Sequence, residues 1–167
     1  MEIGYNMGVL RMKEIYHFFK DKEDINSIID GISSGLKEQL VAGLTGTARS
    51  LFVSTINQAH KKKTLIITHQ LIHAQNLYED LIEFSKNPNI FLYPVNELIA
   101  SEMAIASPEL KAERIRSLTN WIQEDSAILI APVAALKRIL PPLHYWKKYQ
   151  LSFKEAEIIP IEEHIAT

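Results

Sequence analysis

Gly43-Leu44-Thr45-Gly46-Thr47-Ala48-Arg49-Ser50 is a small-residue turn that runs straight into the apolar triplet Leu51-Phe52-Val53. A turn rich in glycine and threonine followed by helix-forming sequence predicts a loop that opens a helix over residues 48–60. Upstream, residues 39–42 read as a short buried strand. Downstream, Thr64-Leu65-Ile66-Ile67-Thr68 is a β-branched run of strand length. Residues 70–86 follow as an amphipathic helix, with Leu71, Ala74, Leu77, Tyr78, Leu81 and Ile82 on one stripe. Asn87-Pro88-Asn89 is a turn, and residues 90–93 a third strand. After a loop over residues 94–106, Ser107 caps another helix, with Pro108 at its first position and Glu109 facing its positive end. Residues 127–131 form the fourth strand. Strands alternating with helices of this length imply an α/β fold, a parallel sheet flanked by helices.

The flanks read differently. Between Arg11 and Ser34, Ile15, Phe18 and Phe19 and then Ile25, Ile28, Ile29 and Ile32 recur at helical spacing. That predicts two short helices broken near Asp21 and Asp24, with Gly31 and Gly35 ending the second. Pro141-Pro142 marks a boundary, beyond which residues 151–153 and 158–159 read as short strands of a new α+β unit. The chain stops inside a helical pattern over residues 161–167, as a truncated piece would. The expected division is N-terminal helices over 1–36, an α/β domain over 37–141, and the start of a second subdomain over 142–167.

Composition excludes several classes. Among the 167 residues there is no cysteine, which removes disulfides, thiolate metal sites and thiol catalysis. The N-terminus has no signal-peptide core, and the longest uncharged run is too short to span a bilayer, so a cytoplasmic protein without a membrane partner is expected. A net charge of −2 argues against a dedicated nucleic-acid binder. Residues 64–104 hold one lysine against five acids, and residues 105–150 seven Lys/Arg against four. The small basic groups at Lys61-Lys62-Lys63, Lys137-Arg138 and Lys147-Lys148 read as solvated surface.

The stretch over 43–50 has the outline of a phosphate-binding loop, G-x-x-x-x-G-K-[ST]. In that motif bare glycine backbone curls around phosphate oxygens, lysine supplies a compact charge, and the hydroxyl holds magnesium. Gly43 and Ser50 occupy the first and last positions. Ala48 stands where the second glycine belongs, and its Cβ occupies the place of closest approach to the phosphates. Arg49 replaces the lysine with a longer, planar fork. The strand around Ile128-Leu129-Ile130 ends without the magnesium-holding acid that nucleotide hydrolases carry there. Asp125 lies on its other side. The expectation is a degenerate loop with no catalytic residue.

With these residues in view, Gly31-x3-Gly35-x-Lys37-x-Gln39-x3-Gly43-Leu44-Thr45-Gly46-Thr47-Ala48-Arg49-Ser50 resembles the front of UvrB, the helicase-like damage-verifying subunit of bacterial excision repair. Gly43, Thr45, Gly46 and Thr47 match that family's loop, while Ala48 and Arg49 depart from it. The family's adenine-reading Gln-Pro would fall on Asp21-Lys22, so that element is lost too. A UvrB-like loop without its lysine is similar to the N-terminal module of bacterial transcription-repair coupling factors. Leu65-Ile66-Ile67-Thr68-His69, Leu92-Tyr93-Pro94-Val95-Asn96-Glu97-Leu98, Ala106-Ser107-Pro108-Glu109-Leu110, Ile130-Ala131-Pro132-Val133-Ala134, Leu140-Pro141-Pro142 and Lys147-Lys148-Tyr149-Gln150 also resemble that family.

The resemblance implies a RecA/helicase-like fold corresponding to UvrB domain 1a, followed by the start of domain 2. It implies a much longer parent that displaces RNA polymerase stalled at DNA damage and recruits UvrA. In that parent a separate motor uses ATP and magnesium, so no cofactor is expected in this piece. UvrA would dock mainly on the subdomain beginning near Pro142. The loop over 94–106 is too short for UvrB's damage-probing hairpin.

Other candidates read more plainly. His69 and His73 have the spacing of two helical zinc ligands, but Gln70 stands where a zinc protease needs glutamate and no third ligand is indicated, so no metal is expected. Thr68 and His69 sit at a strand's C-terminal end, where helicase-like folds touch nucleic-acid phosphates. Trp121 and Trp146 read as packing residues. Two functions stay open: a non-catalytic interaction module, or an active ATP-binding helicase or NTPase half with an unusual loop.

Overall fold

A computed structural model of the chain describes residues 19, 21–85, 87–95, 107–137 and 139–149. The expected first helix, most of the 94–106 loop, the strands at 151–153 and 158–159, and the helical pattern at 161–167 lie outside these residues.

Five α-helices, three strands and one 3-10 turn are described: α1 Glu23–Ser33, α2 Thr47–His60, β1 Thr64–Thr68, α3 Leu71–Phe84, β2 Ile90–Leu92, α4 Pro108–Gln123, β3 Ile128–Pro132, the 3-10 turn Val133–Lys137, and α5 Leu143–Tyr149. The strands form a parallel sheet in the order β1-β3-β2. Ile128 faces Thr64 on one side and Ile90 on the other, and Ile130 faces Ile66 and Leu92. All five residues of β3 are buried, as a central strand requires.

The chain passes from β1 over the position of β3 to β2, then turns back to β3. Right-handed crossovers made in opposite directions put their helices on opposite faces of the sheet. Alternate residues of β3 record this. Ile128 and Ile130 pack with Ala74, Leu77 and Leu81 of α3, with Val53 of α2 against the same cluster. Leu129 and Ala131 pack with Leu118 and Trp121 of α4, together with Tyr93, Ala135 and Trp146. The α/β architecture with helices on both faces is therefore as the sequence implied.

The second face is only partly covered. Leu65 and Ile67 of β1 stand in register with Leu129 and Ala131, yet are 45% and 53% exposed where their neighbours are 3% and 0%.

Three local expectations need correction. Residues 39–42 are not a strand and not buried; Leu40 is 92% exposed. Local β propensity makes no strand without a ladder, and none of the described strands pairs with this segment. Gly31 does not end its helix but lies inside α1, where the Gln39 side chain passes so close that a Cβ would meet its Oε1 at 2.5 Å. Gly35 does stop the helix: at φ +85° it lets its own N–H reach Ile32 O (3.2 Å) and the Leu36 N–H reach Gly31 O (2.9 Å). That pair of bonds satisfies the last carbonyls of α1. Finally, α3 begins at Leu71, so His69 precedes the helix and the His69/His73 pair lacks helical geometry.

The cap of α4 is as read. The Ser107 Oγ accepts from the Leu110 N–H at 3.2 Å, and Pro108 opens the helix. The helix-end backbone and the capping hydroxyl together hold the Glu109 carboxyl below its ordinary pKa; the backbone bond is the larger cause.

Candidate functional site

α2 ends at His60 and only three residues separate it from the start of β1, so it runs antiparallel to that strand. Its 14 residues span ~21 Å against ~16 Å for the strand. The 43–50 loop at its start therefore lies at the C-terminal edge of the sheet, together with Thr68, Tyr93 and Pro132. This is the edge where open α/β sheets bind ligands. The expected strand before the loop is absent, so the observed context is exposed chain, loop and helix.

Gly43 (φ +82°) and Gly46 (φ +51°, ψ −135°) give the loop its curl. The second conformation is all but closed to residues with a Cβ. Beyond Gly46 the loop closes in on itself. The Ala48 N–H donates to Thr45 O at 3.2 Å and the Arg49 N–H to Gly46 O at 3.1 Å. Arg49 is exposed, and its Nη2 donates back to Leu44 O at 3.4 Å. Ser50 is buried, and its hydroxyl donates to Asp80 Oδ2 of α3 at 2.6 Å. These two backbone donors, the guanidinium and the hydroxyl are groups that a polyphosphate and its magnesium would engage, and all have partners within the chain. Gly43, Thr45, Gly46 and Thr47 are exposed.

None of the three described strands delivers an acid to this edge: β1 runs into His69-Gln70, β2 into Tyr93-Pro94 and β3 into Val133. Asp125 is exposed at the opposite edge. His69 and His73 are exposed, and among the described residues no group of three His, Cys, Asp or Glu could hold a metal ion. The Thr68 hydroxyl donates to Gln70 O at 2.9 Å, bracing the turn into α3. Trp121 is half-buried and packs against the core, and the Trp146 Nε1 donates to Pro141 O at 3.1 Å. Both tryptophans line a cavity of about 520 Å³ with Leu118, Leu140 and Leu143.

Two features escaped the sequence. Asp80 looks like one more acid on the polar side of α3. At the sheet's N-terminal edge, Asn87 Nδ2 donates to Asn57 Oδ1 and to Ser126 O, each at 2.9 Å. Asn57 in turn donates to Lys62 O and Thr64 Oγ1. An Asn-Pro-Asn turn was the available signal for Asn87; nothing marked Asn57.

Comparison with known proteins places the chain. It is 46% identical over 140 residues to the transcription-repair-coupling factor of Bacillus subtilis (strain 168), covering 84% of this chain and 12% of that protein. The protein of the same name from Staphylococcus aureus (strain USA300) is 29% identical over 154 residues, covering 92% of this chain and 12% of that protein. That of Staphylococcus haemolyticus (strain JCSC1435) is 29% identical over 131 residues, 78% of this chain and 11% of that protein. No family model and no solved structure matches. The chain spans about one eighth of the length of these relatives. It belongs to the transcription-repair coupling factor family and corresponds to a small N-terminal part of its members.

Proposed function

We propose that the chain is the non-catalytic UvrB-homology module of a transcription-repair coupling factor, and that its 43–50 loop is a retired phosphate loop. The observation that supports this most is the internal commitment of three donors there: the Ala48 and Arg49 N–H groups and the Ser50 hydroxyl. A triphosphate would have to displace these partners and tolerate a methyl group and an arginine where the motif needs bare backbone and an ammonium. In this reading residues 37–141 form a helicase-like domain and residues from 142 onward begin the subdomain that meets UvrA. ATP and magnesium act in a separate motor, which displaces stalled RNA polymerase from damaged DNA. Thr68 and His69, at the strand edge, are the candidates for a contact with nucleic-acid phosphate.

Isothermal calorimetry with Mg-ATP separates this from the alternative of an active helicase half. No saturable heat is expected of a retired loop. Saturable binding that Arg49→Ala abolishes would locate a working site in the loop. For the docking role, the full-length relative should retain UvrA, and deletion of the region after residue 142 should lose it.

A further inference from the structure

The last residue of the loop has a partner that the eight-residue motif does not contain. Ser50 is 1% exposed, and its hydroxyl points into the seam between α2 and α3, 2.6 Å from Asp80 Oδ2. Asp80 precedes Leu81, which is fully buried, and with Leu77 seats α3 on the sheet. The backbone carrying the carboxylate is therefore fixed. A magnesium ligand in this position has to turn its oxygen toward the phosphates and be reachable by a hydrated cation. The Ser50 hydroxyl is instead engaged with α3 and closed to solvent. A short O–H···O⁻ bond is of the stronger kind, and its serine end is closed to water while the half-exposed aspartate keeps its charge.

We infer that Asp80 is a positioning residue that keeps Ser50 turned away from the loop. It is a further block to magnesium-nucleotide binding, independent of Ala48 and Arg49. This rests on the reading of the loop as retired and adds that the retirement is reinforced from another helix. Restoring the motif's glycine and lysine alone does not recover magnesium-dependent binding.

Asp80→Asn and Asp80→Ala separate the possibilities, because the amide oxygen still accepts from Ser50 and the methyl group does not. ATP affinity is measured with and without Mg²⁺ for the natural chain, for Ala48→Gly/Arg49→Lys, and for that pair combined with either Asp80 change. Circular-dichroism melting checks each fold, and Asp80→Ser, too short to reach, replaces Asp80→Ala if that variant does not fold. The expected result is that magnesium tightens binding by about tenfold or more only in the combinations carrying Asp80→Ala or Asp80→Ser. Where the aspartate is kept, or changed by Asp80→Asn, magnesium should alter binding by less than about twofold. A magnesium effect already present in Ala48→Gly/Arg49→Lys overturns the inference and leaves the retired loop standing. So does its absence from the combination with Asp80→Ala. Mg-ATP binding by the natural chain would instead sink the reading on which the inference rests.

Discussion

Asn87 Nδ2 lies 2.9 Å from Asn57 Oδ1, joining two amides thirty residues apart at the edge of the sheet opposite the loop. Through Lys62 O, Thr64 Oγ1 and Ser126 O, the pair ties the end of α2 to the start of β1 and to the approach to β3. The Asn87 Oδ1 also accepts from the Asn89 N–H at 2.9 Å, which shapes the turn into β2. Asn57 is 3% exposed, so its partners cannot fall back on water. Asn57→Ala and Asn87→Ala should each cost ~1–3 kcal/mol in urea unfolding. Because they share a bond, the double variant should cost less than the sum. Strict additivity would show that the bond contributes nothing.

Two glycines four residues apart should respond differently to alanine. Gly35→Ala puts a Cβ on a left-handed residue and should destabilise by ~1 kcal/mol. Gly31→Ala lies within α1, and the obstacle is the end of the exposed Gln39 side chain, whose Nε2 donates to Ile28 O at 3.2 Å. Moving that side chain loses a surface hydrogen bond and offsets part of the ~1 kcal/mol gained in helix propensity. Stability should therefore be unchanged or slightly higher. Paired melting curves of the two variants check this.

Leu65 and Ile67 should behave as surface residues in this chain, despite their place on a strand. Each replaced by serine should shift stability by no more than ~0.5 kcal/mol. Ile130→Ala, by contrast, empties a 0%-exposed position in the central strand and should cost ~2–5 kcal/mol. A large loss from the serine changes would show that something within the chain covers that face.

Much of this architecture was legible because it is local. The β-branched run at 64–68, the apolar stripe of α3 and the Ser107-Pro108 cap each state their structure within a few residues, and the observed bounds follow closely. The errors came where the outcome depends on distant chain. Leu40-Val41-Ala42 has the composition of a strand and lacks a partner among the described strands. Gly31 looked like a stop signal and is instead a seat for Gln39, eight residues on. In the candidate site, the departures at Ala48 and Arg49 could be read directly from the motif. The Ser50–Asp80 bond could not, since a contact between two helices leaves no trace in the periodicity of either.

The Glu109 carboxyl titrates below its ordinary value of 4.5, held by the helix-end backbone and then by Ser107. A lowered folded-state pKa means that its contribution to stability is present above 4.5 and fades as pH falls through the lowered value. Carboxyl NMR titration should find Glu109 under 4.5, and Ser107→Ala should bring it part of the way back. A Glu109 unaffected by the serine change would remove the capping hydroxyl as a cause.

The retired loop is tested most directly by following the backbone amides of Gly43, Gly46, Thr47 and Ala48 by NMR while Mg-ATP is added to the 167-residue chain. A loop that no longer holds nucleotide should give no saturable shift at any of the four. Shifts that saturate together, and vanish in Arg49→Ala, would contradict it.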